Sequence, residues 1–358
     1  MKKQQFKSIE SRMAQFQAYH NRENQQPLFG FFLGSEYPLQ RYPFSRNLPE
    51  NRPLTPEDFD VDAFVQDTVA LFAAHEECGG DFIFSGAPFW GIPWLEAMLG
   101  CPIYADHNTG SVYSKPPDWN GVESLPDFSP DSPWALLMTD MLDALSTAAA
   151  GRFPLATTRM RGVADLLSAL YGGDAFLFAM MEKPEEVKAV ANHCARLFID
   201  CAKLQLQHIP EFHGGMGSFY YYMWVPPGTV WHQEDAAALL SPDFYKEFIE
   251  PCDRRIVDAF PHVVMHQHST GYVPTDRYLK MGMSVLELHI DEGGPSAEEL
   301  YERHLAILRE RPLLIWGDIP EKDLDWLFNR LPTAGLAVIT VVESAQKAQN
   351  LWRKYAQK

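Results

Sequence analysis

The sequence predicts an α/β fold, a single (β/α)8 TIM barrel preceded by an N-terminal helical extension. Eight short apolar runs recur along the 358 residues, and helical patterns separate most of them, as in a parallel sheet covered by helices. The length agrees, because such barrels occupy roughly 200 to 400 residues as one domain. A doubly wound open sheet is the alternative. Neither GxGxxG nor GxxxxGK(S/T) follows any apolar run, so the usual support for its nucleotide-binding form is missing.

Eight predicted strands, which follow a helical lead-in, support the predicted barrel. Residues 1–26 form a polar helical lead-in, and the barrel domain covers residues 27–358. Each predicted strand is a run of apolar or aromatic residues that ends at glycine or at polar residues. In chain order, the predicted strands are residues 27–34, 81–85, 153–158, 229–233, 262–268, 284–290, 312–316 and 336–342.

The predicted helices between the strands follow from apolar periodicity and from start and stop residues. A glycine pair at 79–80 ends the first helix, Ser241 before Pro242 starts another, and Ser296 to Glu299 forms a capping box. Residues 115–133 are rich in proline and serine and predict irregular surface. The predicted helices are residues 56–78, 133–149, 184–207 and 243–260, one that begins at 296, and 345–356.

Composition limits the classes of partner. Hydrophobic residues make up 46% of the chain, which allows a large core, and the net charge of −17 argues against nucleic acid and anionic membranes as partners. The N-terminus lacks the apolar segment of a signal peptide, and no apolar run approaches the roughly 18 residues of a membrane span. Five scattered cysteines without CxxC spacing predict a reduced, cytoplasmic protein.

The stretch HVVMHQHSTG at 262–271 is the principal candidate for chemistry. Strand side chains alternate between faces, so His266 and His268 point the same way, roughly 6 to 7 Å apart along the strand. A strand that ends in polar residues before a glycine turn is typical of the carboxyl mouth of an α/β barrel. The alternative is a pair of surface or hydrogen-bonded histidines without a ligand.

Carboxylates are predicted at the same mouth. Glu234 and Asp235 follow the strand at 229–233, and Glu343 follows the last strand. In the strand at 284–290, Glu287 and His289 share the face opposite the apolar residues. Because helices cover the outer face of a barrel, we expect this polar face to look inward.

Further polar and aromatic residues near strand ends are candidates for substrate binding. Arginines at strand ends can hold a carboxylate or phosphate, although Arg159 and Arg161 could equally be charges on a helix face. The aromatic loop after the second strand can line an apolar pocket or pack over the barrel, and the tyrosines at 220–222 can contact a ligand or fill the core. The predicted substrate-binding residues are Arg41, Trp90, Arg159, Tyr222 and Asp318.

Four motifs resemble the uroporphyrinogen decarboxylase superfamily. They are LSPDFYKEFIEPCDRRI at 240–256, HQHSTG at 266–271, GDIP at 317–320 and GGDFIFSGAPF at 79–89. The likeness extends over most of the chain from about residue 60, and it implies a single α/β barrel. The superfamily also contains zinc-dependent methyltransferases that move a methyl group from a corrinoid to a thiol.

The resemblance to the decarboxylases is incomplete. Those enzymes carry an arginine-rich turn after the first strand and an aspartate after the second, whereas this chain offers only Arg41 at the first place and FIFSGAPFW at the second. A porphyrinogen with eight acidic side chains needs several cations at the mouth. The resemblance therefore favours the methyltransferase branch.

In that branch, the fifth strand ends in His-x-Cys and the eighth in Cys, and these residues hold zinc. The corresponding residues here are His266, His268 and Glu343, and two histidines with one carboxylate form an accepted catalytic zinc set. Glu234, Glu287 and His289 are predicted to supplement this set in catalysis or to orient its imidazoles. The implied methyl donor is a corrinoid on a separate protein, because the chain has no DxHxxG signature, and related barrels imply a homodimer.

Three hypotheses for the function follow. The first is a zinc-assisted methyltransferase acting on a small-molecule thiol. The second is a cofactor-free decarboxylase of uroporphyrinogen or another organic acid, in which Glu234, His266 or His289 is the general acid. The third is a noncatalytic barrel that binds a small molecule.

Overall fold

A parallel sheet of six strands forms the centre of the computed structural model, which describes residues 7–355. The strand order is β1-β10-β9-β8-β7-β6, and every pairing is parallel. Two short antiparallel pairs, β2-β3 and β4-β5, lie outside this sheet. The strands are β1 Leu28–Leu33, β2 Ile103–Asp106, β3 Ser111–Ser114, β4 Met216–Gly217, β5 Trp224–Val225, β6 Thr229–Gln233, β7 His262–His266, β8 Val285–His289, β9 Leu313–Gly317 and β10 Leu336–Val342.

Helices alternate with the strands and cover the sheet. Five of the helices described below begin at a residue whose side chain accepts a hydrogen bond from a free backbone N–H group, as where the Ser132 hydroxyl accepts from Ala135 N–H. The α-helices are α1 Ile9–His20, α2 Pro38–Arg41, α3 Val61–Cys78, α4 Trp94–Met98, α5 Pro133–Ala149, α6 Val163–Tyr171, α7 Ala175–Glu182, α8 Pro184–His208, α9 Pro242–Phe244, α10 Glu250–Ala259, α11 Thr275–Met281, α12 Tyr301–Glu310, α13 Glu321–Arg330 and α14 Ala345–Tyr355. A π-helical turn, Tyr245–Ile249, joins α9 to α10.

Burial explains the sequences of the central strands. All five residues of β9 are buried, and so are six of the seven residues of β10, as expected for parallel strands with both faces covered. In β1, Phe29 packs against the outer helices through a stacked contact with Trp352, with ring centroids 6.4 Å apart. The packed sheet thus sets the places at which the residues that follow its strands lie.

The α/β class and the parallel sheet agree with the prediction, but a closed eight-stranded barrel is not found among residues 7–355. Within this described chain, the predicted strand at 81–85 forms no ladder, and the one at 153–158 forms only an isolated bridge, between Leu155 and Gly86. The segment at 216–225 forms backbone hydrogen bonds with both. These bonds run from Ile83 N–H to Tyr222 O at 2.7 Å and from Gly217 N–H to Leu155 O at 2.8 Å.

Helix α1 lies within the predicted helical lead-in, whose first six residues are outside the described part of the chain. The helix packs against the segment that follows α3, with the Phe16 and Phe82 rings 5.4 Å apart at an interplanar angle of 83°. Arg12 donates hydrogen bonds to Phe82 O at 3.0 Å and to the Glu76 carboxylate. These contacts join the N-terminal helix to the segment that follows α3.

All five cysteines are buried and unpaired, in agreement with the absence of a disulfide framework. None of the helices described between residues 7 and 355 is long and apolar enough to cross a membrane alone. Only the pair α6 and α7, bent by 96°, passes such a test by length and composition together.

His304 in α12 makes fold stability depend on pH. Its ring is fully buried, neither ring nitrogen has a hydrogen-bond partner among the described residues, and burial, assisted by Arg303, lowers its pKa from 6.5 to about 3. Between these values the unfolded chain binds a proton that the folded protein rejects, so stability falls as the pH decreases. At pH 5 we expect this histidine to have removed about 2 kcal/mol relative to pH 7.5.

Urea unfolding of chelator-treated protein at pH 7.5 and 5.0 measures this loss. His304→Leu should reduce the difference between the two pH values by about 2 kcal/mol. The exposed His213 provides a control, because His213→Asn should keep the wild-type dependence. An unchanged pH dependence in His304→Leu would show that the buried imidazole is not the cause.

Candidate metal site

Three imidazoles converge where β7 and β8 end. His266 closes β7, His268 follows two residues later, and His289 closes β8. A bridge between the backbones of His268 and His289 holds the two chain segments side by side. Each ring offers one nitrogen, and these three nitrogens all lie within 4.8 Å of one another. The Nε2 atoms of His266 and His268 are only 3.2 Å apart, so the predicted convergence of this pair is present in the fold.

A carboxylate lies behind each of the first two imidazoles. Glu287 is hydrogen-bonded to Nδ1 of His266, and the Tyr221 hydroxyl donates to the same carboxylate oxygen at 3.0 Å. Asp291 lies 2.5 Å from Nδ1 of His268 and also accepts a hydrogen bond from Ser269 N–H. A carboxylate that accepts the Nδ1 proton leaves the Nε2 lone pair free for a metal. Both Nε2 atoms therefore face the shared space as potential ligands.

The pKa values of the histidines reflect these neighbours. Burial opposes protonation of His268, but the hydrogen bond to Asp291 and the charge of Asp235 raise its pKa to about 9. Burial, together with the two nearby histidines, lowers the pKa of His289 to about 3, so this ring is neutral at pH 7. A metal ion bound here would displace a proton from His268.

Asp235 supplies an oxygen to the same space. Its Oδ1 is buried, has no hydrogen-bond partner among the described residues, and lies 3.8 Å from Nε2 of both His266 and His268. Gln233 fixes the other oxygen, donating to Oδ2 at 2.6 Å. A buried carboxylate oxygen without a donor is costly unless a cation or proton satisfies it. Two imidazole nitrogens and this oxygen, with His289 close by, fit zinc.

Glu343, the third ligand suggested by the resemblance, is not brought to this group. Its side chain is exposed after β10, and the three-histidine group does not include it. The carboxylate beside this pair is instead Asp235, whose Oδ1 lies 3.8 Å from Nε2 of both His266 and His268. The sequence placed Asp235 at the end of its strand, beside the more conspicuous Glu234, but no local pattern distinguished which of the two carboxylates faces the histidines.

Glu234, predicted to act in catalysis, points into a second buried cluster. Its carboxylate accepts hydrogen bonds from the backbone N–H groups of Val163 at 2.6 Å and Ala164 at 2.7 Å, at the start of α6. One of its carboxylate oxygens also lies within 4.8 Å of a ring nitrogen of His232 and a carboxylate oxygen of Asp253. Burial raises the pKa of Glu234 well above its usual range, and the negative charge of Asp253 raises it further. This carboxyl group anchors a helix to the end of β6.

A cavity of about 570 Å³ opens from the histidine cluster. Among the residues predicted to bind substrate, Trp90 and Arg159 line it. Polar side chains and aromatic rings share its wall. The aromatic residues that line it are Tyr37, Trp90, Tyr113, Phe219, Tyr220, Tyr221, Trp231 and Trp316.

The two arginines at 159 and 161 differ in their surroundings. Arg161 donates to the Glu96 carboxylate at 2.7 Å and lies 3.8 Å from Asp165, so its charge is balanced by protein groups. Arg159 has no ion pair or hydrogen bond with any residue described between 7 and 355. Its guanidinium carbon lies 5.9 Å from the centroid of the Trp90 ring. Arg159 is therefore the cation in this cavity that a ligand can reach.

The other predicted substrate-binding residues lie elsewhere. Arg41 is buried, donates to the Tyr222 hydroxyl at 2.7 Å and lies 4.0 Å from the centroid of the Phe32 ring. Arg41 and Tyr222 contact each other and do not line the cavity. Asp318 is exposed near its rim, where it and Glu292 reinforce the effect of burial on Glu36, whose pKa rises to about 7.

The comparisons with known proteins agree with this architecture. Among 22 matching chains of solved structures is a methyltransferase from Methanosarcina mazei, with a TM-score of 0.66 and 13% sequence identity. The match covers 99% of this chain and 100% of that chain. No protein-family model and no curated protein matches the sequence. The shared fold therefore extends over the entire length of a methyltransferase.

Proposed function

We propose that this protein is a zinc-dependent methyltransferase that transfers a methyl group from a corrinoid to a thiol. The observation that carries the proposal is the arrangement of His266 and His268, whose Nε2 atoms are 3.2 Å apart while a carboxylate holds each Nδ1. Asp235 directs a partnerless oxygen toward both rings. The fold shared with a methyltransferase supports the same class of reaction.

We also infer that the sheet is part of a (β/α)8 barrel in which two of the eight strands are irregular. The extended segments at 81–86 and 153–161 would fill the gap between β1 and β6. Backbone contacts support this inference at each step. They are Asp81 N–H to Phe29 O at 2.9 Å, the bridge between Gly86 and Leu155, and the bridge between Arg161 and Gln233.

The charge of the cavity favours methyl transfer over porphyrinogen decarboxylation. Two arginines line the cavity, and Arg161 is already paired with Glu96. Glu36 and Asp235 are acidic groups that also line the cavity. A substrate with eight carboxylates would meet one available cation and repulsion from these acids.

The residues of the site have distinct tasks in this reaction. Zinc held by His266, His268 and Asp235 would bind the acceptor and lower the pKa of its thiol. Glu287 and Asp291 keep the Nδ1 protons of the two imidazoles in place and so direct both Nε2 lone pairs inward. In the transfer the thiol proton would pass to solvent, the sulfur would form the bond to the methyl carbon, and the electron pair of the broken carbon–cobalt bond would stay with the donor.

Metal analysis and a transfer assay test the proposal together. Untagged protein should contain close to one zinc per chain. It should also methylate 2-mercaptoethanol with methylcobalamin as a substitute for a corrinoid protein, and a chelator should abolish this activity. Protein that contains no zinc, takes up none and methylates no thiol would refute the proposal.

Removal of the charge on Glu287 should weaken zinc binding. Glu287→Gln replaces the carboxylate that accepts the Nδ1 proton of His266 by a neutral amide, so the imidazole loses basicity and a fixed orientation. We expect zinc affinity to fall by roughly 10- to 100-fold, measured by competition with a chelator of known affinity. The exposed Glu292 offers a matched control, and Glu292→Gln should leave the affinity unchanged.

A further inference from the structure

We propose that the cavity binds an aromatic carboxylate, with the carboxylate on Arg159 and the ring against Trp90 and Tyr220. This inference rests on the proposed function, because it names the substrate class for the same site. A ligand of this kind would place its far end toward the histidine cluster, which lines the same cavity.

Arg159 provides the first reason. Its side chain is largely enclosed, yet no carboxylate of the described chain pairs with it, whereas the neighbouring Arg161 is paired with Glu96. Burial and the charge of Arg161 both lower the pKa of Arg159, which means that the surroundings destabilise its charge. An enclosed cation of this kind gains from an incoming anion, and a guanidinium matches the two oxygens of a carboxylate.

The aromatic wall provides the second reason. The Trp90 and Tyr220 rings are 5.3 Å apart and nearly perpendicular, and the Tyr220 and Trp316 rings are 4.6 Å apart in a similar arrangement. Perpendicular rings present both faces and edges, which suits an added planar ring. Tyr220 has a φ of +68°, a conformation that is unfavourable for a non-glycine residue and is held only by its surroundings. The fold thus fixes this ring in the wall.

The acidic groups of the cavity limit the charge of the ligand. Asp235 lies beside the histidines, and Glu36, whose pKa is raised to about 7 by burial, lines the same cavity, so the two would repel a second negative charge. One anionic group on Arg159 leaves the remainder of the ligand to contact aromatic side chains. The cavity therefore favours a ligand with one carboxylate and a flat apolar body.

Binding measurements with three small probes test this inference. Benzoate, benzamide and cyclohexanecarboxylate differ in charge or planarity while they keep a similar size. Calorimetric titration of chelator-treated protein separates binding from metal chemistry. We expect benzoate to bind at least about tenfold more tightly than the other two, in line with one charge-assisted contact or one ring contact.

Variants assign this preference to residues. Arg159→Gln should weaken benzoate binding at least about tenfold and leave benzamide unchanged, and Arg159→Lys should retain part of the affinity. Trp90→Leu should reduce the preference for benzoate over cyclohexanecarboxylate. Arg255→Gln, an exposed change on α10, is the matched control and should bind benzoate as wild type does. Thermal melting confirms that each variant is folded.

The outcomes separate this inference from the proposed function. Equal affinities for benzoate and benzamide, or full benzoate binding by folded Arg159→Gln, would overturn the inference even if zinc and methyl transfer are present. Tight benzoate binding by a wild-type protein that contains no zinc and transfers no methyl group would support the ligand class and refute the reaction.

Discussion

Replacement of His268 by alanine should reduce the zinc content of the purified protein to less than about a tenth of an equivalent. The change removes one ligand and also leaves Asp291 without the imidazole that donates to it. Loss of a group that only orients a ligand already lowers metal affinity by roughly 10- to 100-fold. Loss of the ligand itself should exceed that range, and methyl transfer should fall by at least about 100-fold with it. Elemental analysis and the thiol methylation assay give the two values.

Two further variants distinguish the ligand set of the structure from that of the resemblance. Asp235→Asn removes the charge of an oxygen that lies 3.8 Å from both Nε2 atoms, and it should lower zinc affinity nearly as much as His268→Ala. Glu343→Ala alters an exposed side chain and should retain full zinc. Zinc loss in Glu343→Ala with full zinc in Asp235→Asn would show that the acid after β10 is the ligand.

The fold class was predictable because strand patterns depend on local sequence. Fully buried strands such as β9 and β10 are continuous apolar runs, and these runs can be recognised without knowledge of their partners. The segments at 81–85 and 153–158 contain more polar residues, and Pro154 has no N–H group to donate to a ladder. Ile83 N–H and Leu155 O form hydrogen bonds with the segment at 216–225, which is distant in sequence. Contacts with a distant segment leave no trace in local periodicity.

In the candidate site, too, local sequence predicted some features and contacts between distant segments decided the others. The period of two along a strand correctly placed His266 beside His268 and turned Glu287 inward, because these relations lie within single strands. Local sequence patterns could not decide whether Glu234 or Asp235 faces the histidines. The first is held by backbone N–H groups of α6, about 70 residues away, and this leaves the second to face the histidines. Pairing between distant segments therefore decides which carboxylate can bind a metal.

The contact between α6 and β6 predicts a large effect for Gly162→Ala. Gly162 has an ordinary φ of −81°, so its backbone does not require glycine, but a Cβ atom would lie 2.1 Å from Gln233 O and 2.3 Å from Glu234 Oε1. The helix and the strand end must separate to relieve this overlap, which breaks the hydrogen bonds from Val163 and Ala164. Overpacking and lost hydrogen bonds to a carboxylate together should cost about 3 to 5 kcal/mol.

Urea unfolding of metal-free protein measures this cost, and Gly151→Ala provides the comparison. Gly151 has a φ of +73° and no atom within 4 Å of its added Cβ, so alanine there should cost only about 1 kcal/mol of backbone strain. Because Asp235 directly follows Glu234, displacement of the strand end in Gly162→Ala should also weaken zinc binding. Gly151→Ala should bind zinc normally. If the two variants prove equally stable, Glu234 does not anchor α6 as closely as the geometry indicates, and the position of Asp235 must depend on other contacts.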